Sequence, residues 1–167
     1  MKRRLQTLVL LLVGAGCLLF LWRHLFPDEE NRVRRCLAEL ARIACVPEKV
    51  TPAWTLLASD RLRNLLAADV VLDVEIPEAG RIPVMNRPEI VTQAVAALEQ
   101  LRGLKVDLID VQVTLGPDRA TATADLTVKA ALPGDKDFFV QEMKIVLKQE
   151  NRQWRVSRVE AVRPLKL

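Results

Sequence analysis

The chain has 167 residues, room for one domain and an appendage. Half of it is hydrophobic and 28% charged, which excludes a disordered chain. The formal charge of +4 suggests a nucleic-acid partner, but 25 basic residues less Lys2, Arg3, Arg4 and Arg23 leave 21, against 21 acidic ones. With a neutral remainder, no Tyr, and Trp and Phe at core-like positions, nucleic-acid binding is excluded.

Residues 1–4 form a short basic tail. Leu5 to Trp22 is an 18-residue run in which only Gln6 and Thr7 are polar. As a helix it reaches about 27 Å, enough for a bilayer core. Lys2, Arg3 and Arg4 precede it; Arg23, then Asp28, Glu29 and Glu30, follow. The positive-inside rule then places the N-terminus in the cytoplasm and the remaining chain in the periplasm or outside the cell. The predicted organisation is a single-pass inner-membrane signal-anchor over 5–22, a juxtamembrane linker over 23–27 and a domain over 28–167. Its first partner is therefore membrane lipid. A rival reading stays open: Gly14-Ala15-Gly16-Cys17 resembles a lipoprotein box, in which Cys17 would be lipidated after cleavage. The apolar run that continues past Cys17 favours the uncleaved anchor. His24, the only histidine, reads as an interfacial residue.

Asp28 is placed to cap a first helix, with Glu29 and Glu30 suiting the positive end of its dipole. Val33, Leu37, Leu40, Ala41 and Ala44 form its apolar stripe, and Pro47 stops it near Cys45. Cys36 and Cys45 are nine residues apart, about 13 Å along one helix and on opposite sides, too far for a disulfide unless the helix ends before Cys45. Both are read as unpaired thiols. Thr51 caps a second helix with Pro52 at its first position. Its apolar contacts are Trp54, Leu57, Leu62, Leu65 and Leu66, and its end falls near Ala67 or Ala68. A strand over Val70–Ile76 follows, with Val70, Leu72, Val74 and Ile76 on one face and Asp73 and Glu75 on the other. Pro77 to Gly80 turns it, and Arg81 to Met85 reads as a short return strand. Asn86 and Glu89 make a capping box for a third helix, with Ile90, Ala94, Ala97, Leu98 and Leu101 as its buried stripe and Gly103 as its stop.

Leu104 to Val162 reads as four long strands in an antiparallel meander. Its turns are Gly116-Pro117-Asp118, Pro133-Gly134-Asp135 and Glu150-Asn151-Arg152. In the first strand Leu104, Val106 and Leu108 alternate, then Ile109, Val111, Val113 and Leu115 alternate in the opposite parity. A β-bulge near Leu108 and Ile109 must absorb the extra residue. The second strand sets Ala120, Ala122, Ala124, Leu126, Val128 and Ala130 against Thr121, Thr123, Asp125, Thr127 and Lys129. The third carries Phe139, Met143, Ile145 and Leu147. The last carries Trp154, Val156, Val159 and Val162, again with a parity change.

This order of elements, with the bulged strand and the terminal Gln153-Trp154-Arg155-Val156, resembles the nuclear transport factor 2-like superfamily over about Asp28 to Val162. The resemblance implies an α+β fold: a curved antiparallel sheet of long strands wrapped around three helices, the nuclear transport factor 2-like or cystatin-like cone. Such folds host isomerases, dehydratases and polyketide cyclases with ligands in the cone. They also host non-enzymatic assembly and binding domains, some hung from one membrane helix as in the inner-membrane scaffold component of type IV secretion.

No motif supplies a catalytic, cofactor-binding or metal-ligating residue, and no cofactor is implied. Strand parity turns Asp73, Glu75 and Asp125 toward solvent. Asp60 and Asp107 are the remaining candidates for a buried general base, against the plainer reading of surface charges paired with arginines such as Arg61 or Arg63. The expectation is a membrane-tethered interaction or ligand-binding domain without catalysis. Its partners would be other envelope proteins, a second copy through the sheet, or a small apolar ligand. The alternative is a small-molecule enzyme or carrier of the isomerase, dehydratase or cyclase kind using the cone cavity.

Overall fold

A computed structural model describes residues 29–73, 75–76, 80–81, 85–134 and 138–162. Among them no helix is long and apolar enough to cross a membrane. The predicted anchor with Cys17, His24 and the Asp28 cap lies outside the described residues.

Among the described residues, three helices and seven strands follow in order: α1 (Glu29–Ala44), α2 (Pro52–Leu65), β1 (Leu66–Asp73), β2 (Glu75–Ile76), β3 (Gly80–Arg81), α3 (Arg87–Gln100), β4 (Lys105–Leu115), β5 (Thr121–Ala131), β6 (Phe139–Glu150) and β7 (Gln153–Ala161). The helix starts follow their caps. Thr51 accepts from the Trp54 N–H, and Asn86 and Glu89 exchange both bonds of a capping box. α2 passes into β1 without a loop: Leu66, the helix cap, is already extended at φ −91° and ψ 139°. The predicted end at Ala67 or Ala68 is therefore two or three residues late. Leu66 and Ala67 are buried strand residues instead.

The long strands form the predicted meander, and β1 extends it on one side. The sheet order is β1-β7-β6-β5-β4, antiparallel except for the parallel β1–β7 pair. The β6–β7 connection is a two-residue turn, Asn151 and Arg152, both at positive φ, which suits the twist of a tight hairpin. The β4 bulge lies between Ile109 and Gln112, one to two residues beyond its predicted place. Asp110 absorbs it at φ 54°, a conformation Asp tolerates better than Ile or Val. Ile109 therefore keeps the outward parity, opposite Thr127, and is 41% exposed. In β7 the parity changes at Ser157, between Val156 opposite Leu147 and Arg158 opposite Val146.

One face of the sheet meets the helices. Ala122, Ala124, Leu126, Ile145, Leu147, Trp154 and Val156 are buried there against Val33, Cys36, Leu37, Ala58, Leu62, Ile90, Val91 and Val95. The predicted stripes hold in part. α1 adds Cys36 and Ile43 to its buried face. On α2, Leu57 is 47% exposed and Ala58 takes the inward place. On α3, Val91 and Val95 are buried, whereas Ala97 and Leu101 are exposed. All three misreadings are one-residue shifts around a helix, where adjacent apolar residues make the inward one ambiguous from spacing alone.

Candidate functional site

Burial of the sheet's inner face falls along the strands. On β6, Leu147 and Ile145 are buried, Met143 and Gln141 are half-buried, and Phe139 is 59% exposed. On β5, Ala122, Ala124 and Leu126 are buried, while Val128 and Ala130 are half-buried. On β7, Trp154 and Val156 are buried and Val159 is half-buried. The described helices thus fill the cone beside the β6–β7 turn and leave its inner surface half-covered toward the β5–β6 turn. The candidate site is this open end. Its floor is apolar, formed by Leu108, Val128, Ala130, Met143 and Val159. Gln141 is its polar side chain, and that amide donates to the Glu142 and Val162 carbonyls at 3.0 and 2.9 Å. Gln141 therefore ties down the end of β7.

Titratable groups stand elsewhere. Among the described residues no polar or charged residue is buried. Asp60 is exposed on α2, and Asp107 is exposed on the outer face opposite Lys129. Neither has the desolvated setting a general base requires. Arg61 pairs with Glu39 at 3.5 Å rather than with Asp60. Asp125 faces out, as strand parity predicted. Asp73 and Glu75 are strand residues whose side chains lie outside the description. The buried thiol of Cys36 is the titratable group inside the core; burial, then the Glu39 charge, raise its pKa to about 11. At ordinary pH it is a neutral thiol that donates to the Trp154 carbonyl at 3.4 Å. On the surface, a hydrogen bond from Lys148 lowers the Asp69 pKa and raises that of Lys148. Hydrogen bonds from Thr121 and the Ala120 amide lower that of Asp118, which closes the β4–β5 turn.

Both described cysteines are unpaired. Cys45 has a structural task that its sequence position does not reveal. Its thiol sits 3.3 Å from the Val106 amide and 3.4 Å from the Val106 carbonyl, accepting from one and donating to the other. The Val46 amide donates to Leu104 O at 2.9 Å, and Arg34 donates to Val111 O at 3.0 Å. α1 and the residue pair after it thereby cover the open edge of β4 in place of a further strand.

Beside the open end a groove of about 740 Å³ is lined by Val46, Trp54, Leu104, Leu132 and Pro133, with Arg42, Lys105 and Glu48 as its charged residues. Gly103 is required there: its φ is +76°, and a Cβ would stand 2.3 Å from the Pro133 ring. Adjoining it, Phe138 and Phe139 are 57% and 59% exposed, and the Lys129 ammonium lies 4.4 Å from the centre of the Phe138 ring. Sequence reading assigned Phe139 to the covered face and passed over Phe138. A signal was available, since Phe138 stands directly before Phe139, the first residue of β6, and adjacent residues of an extended chain point to opposite faces.

The opposite, outer face is polar. The register sets Gln112, Asp125, Lys144 and Glu160 side by side across β4, β5, β6 and β7, a row of alternating charge.

No family model matches the sequence, and no curated protein matches it. Solved structures do. A protein from Kribbella flavida aligns with a TM-score of 0.63 at 17% identity, over 80% of this chain and 89% of that one. A nuclear transport factor 2-like protein of unknown function from Pseudomonas putida aligns at 0.61 and 13% identity, over 83% and 88%. A Novosphingobium aromaticivorans protein, provisionally assigned as a scytalone dehydratase, aligns at 0.57 and 10% identity, over 78% and 80%. At these identities the likeness is one of fold. The described domain has the nuclear transport factor 2-like, cystatin-like cone that the sequence resembles.

Proposed function

We propose that the chain is a membrane-tethered, non-catalytic interaction or ligand-binding domain. One observation carries the non-catalytic reading: the buried residues of the described inner surface are apolar side chains and the Cys36 thiol, and Gln141, the polar side chain at its open end, is neither an acid nor a base. A cone enzyme that moves protons needs a titratable group held against the substrate. The described surface offers shape and hydrophobic contact instead, which suit binding. The tether rests on the sequence alone: an 18-residue apolar run flanked by charge, with the larger basic excess before it. In that arrangement the domain occupies the periplasm or the cell exterior. Its partners are envelope proteins, or a second copy through the outer sheet face, where alternating Asp125, Lys144 and Glu160 suit a self-complementary contact.

A second reading, a carrier or enzyme for a small apolar molecule, draws on the half-covered floor at the open end and on the fold it shares with the provisional dehydratase. Native mass spectrometry of the full chain released from a membrane mimetic separates the two. An empty chain, as monomer or dimer, is the expected result. A stoichiometric small molecule retained through purification would replace the first reading with the second.

A further inference from the structure

On the premise of the tether proposed above, we propose that the β4–β5 and β6–β7 turns form a lipid-headgroup site, at which Arg119 and Arg152 take phosphates of anionic phospholipid and seat the domain on the membrane that anchors it. Position comes first. Glu29 opens α1, and its carboxylate accepts from the Trp154 indole N–H at 2.8 Å. Trp154 lies two residues past Arg152, about 7 Å along the chain. From there α1 runs back along β4, with Arg34 at Val111 O and Cys45 at Val106. The chain therefore enters the fold at the end where β4 turns into β5 and β6 into β7. Six residues, 23–28, separate the apolar run from Glu29 and reach about 20 Å when fully extended. β6 alone runs about 35 Å, from Phe139 to Glu150. A tether of that reach keeps the near end, rather than the Phe139 end, at the membrane.

The two turns are neighbours. The Gln149 amide donates to the Ala120 carbonyl at 2.7 Å, which ties the residue after Arg119 to the last residues of β6. Two strand spacings, about 10 Å, separate the hairpins. Charge pairing at this end leaves both arginines over. Glu29 pairs with Arg32, and Glu30 with Arg34. Asp69 and Glu150 share Lys148, and Glu150 also holds Arg155 at 3.6 Å. Asp118 turns its carboxylate back into its own turn, where the Ala120 and Thr121 amides and the Thr121 hydroxyl donate to it. The guanidinium groups of Arg119 and Arg152 are exposed and have no partner among the described residues.

The backbone singles out the same pair. Arg119 and Arg152 lie in the left-handed region, at φ 52° and 63°, which favours glycine over any side chain. A tight hairpin commonly takes Asn-Gly where this chain has Asn151-Arg152. At the far end of the sheet Gly134, at φ 85°, fills such a position. Backbone strain of this kind persists where it serves a site. A guanidinium offers paired donors to phosphate oxygens, and two of them on adjacent turns at the tethered end face the headgroup layer together.

The full chain in nanodiscs containing lipid with a nitroxide on its headgroup provides the test. A fluorescent amino acid is placed at Gln153 or, in a separate chain, at Phe139; both positions are exposed. In discs with phosphatidylglycerol, quenching is expected to be several-fold stronger at Gln153 than at Phe139, and stronger than in discs of phosphatidylcholine alone. Arg119→Gly and Arg152→Gly suit the left-handed backbone, so neither variant threatens the fold. Each is expected to lower the ratio of seated to lifted domain about fivefold in phosphatidylglycerol. Arg119→Lys together with Arg152→Lys is expected to retain most of the quenching. Failure of the chain to enter discs would overturn the tether and the headgroup site with it. A chain that enters but is quenched equally at Gln153 and Phe139 would overturn the seating while leaving the tether in place. Equal quenching in the two lipids, indifference to both glycine variants, or a lysine chain no better than the glycine ones would overturn the arginine–phosphate contact and leave this end to a protein partner.

Discussion

Cys36 is 8% exposed, and its raised pKa makes a pH prediction with a definite sign. Its ordinary value is 9.0 and its folded value about 11. Below 9.0 both states hold the proton, and the contribution to stability is fully present. As pH rises from about 9 toward 11 the unfolded chain releases the proton and the folded one does not, so stability is lost, by about 2–3 kcal/mol across the window. Urea melts at pH 8 and at pH 10.5 are expected to differ more in the native chain than in Cys36→Ala. The same burial should keep Cys36 unreactive toward a thiol reagent at pH 8. Leu147, with no exposure, offers a packing test: Leu147→Ala is expected to cost about 3 kcal/mol in a denaturant melt. Cys36 illustrates what single residues reveal in a sequence. Its spacing from Cys45 left a disulfide open only if the helix ended before Cys45, as it does at Ala44; the thiol is nonetheless unpaired. Its place inside the core was not legible, because the predicted stripe ran through Val33 and Leu37 and a cysteine beside them could face either way.

At the scale of elements, local signals were legible where side chains speak to nearby backbone. Thr51, Asn86 and Glu89 marked two helix starts, and the opposed parities of Leu108 and Val111 marked a bulge. The bulge's exact residue was not legible, because Ile109 fits either face until its neighbour Thr127 is known. Asp110 now carries a prediction: at φ 54°, Asp110→Val should destabilise by about 1–2 kcal/mol, and Asp110→Gly should be close to neutral. Gly103→Ala is expected to destabilise too, since the added methyl meets the Pro133 ring in an unfavourable backbone region; thermal melts compare all three. The cover of β4 by α1 was beyond sequence reasoning. It joins Arg34 to Val111 and Cys45 to Val106, contacts that only the folded path creates.

At the scale of the whole molecule, the outer face supplies a test of self-association. Lys144→Glu turns the Asp125, Lys144, Glu160 row wholly acidic. If a second copy docks there, the variant should lower the dimer fraction in native mass spectrometry well below that of Lys144→Gln, while the like charges it sets beside Asp125 and Glu160 cost the monomer about 1 kcal/mol. The cone was legible from element order, yet the parallel pairing of β1 with β7 was not, since nothing near Leu66 names a partner as distant as Val156. The open end was illegible for the same reason: Phe139 reads as a core residue until the extent of helix cover is known. That long-range pairing has a consequence in time. Leu66 waits for a strand synthesised 90 residues later, between positions 66 and 156. Trp154 and Val156 are buried only once β7 is in place. Until β7 has been synthesised, the core of the nascent chain lacks Trp154, Val156 and the strand that pairs with Leu66. Closure of the core is expected to come late, and a chain ending before Gln153 is expected to be cut by a protease that leaves the full domain intact.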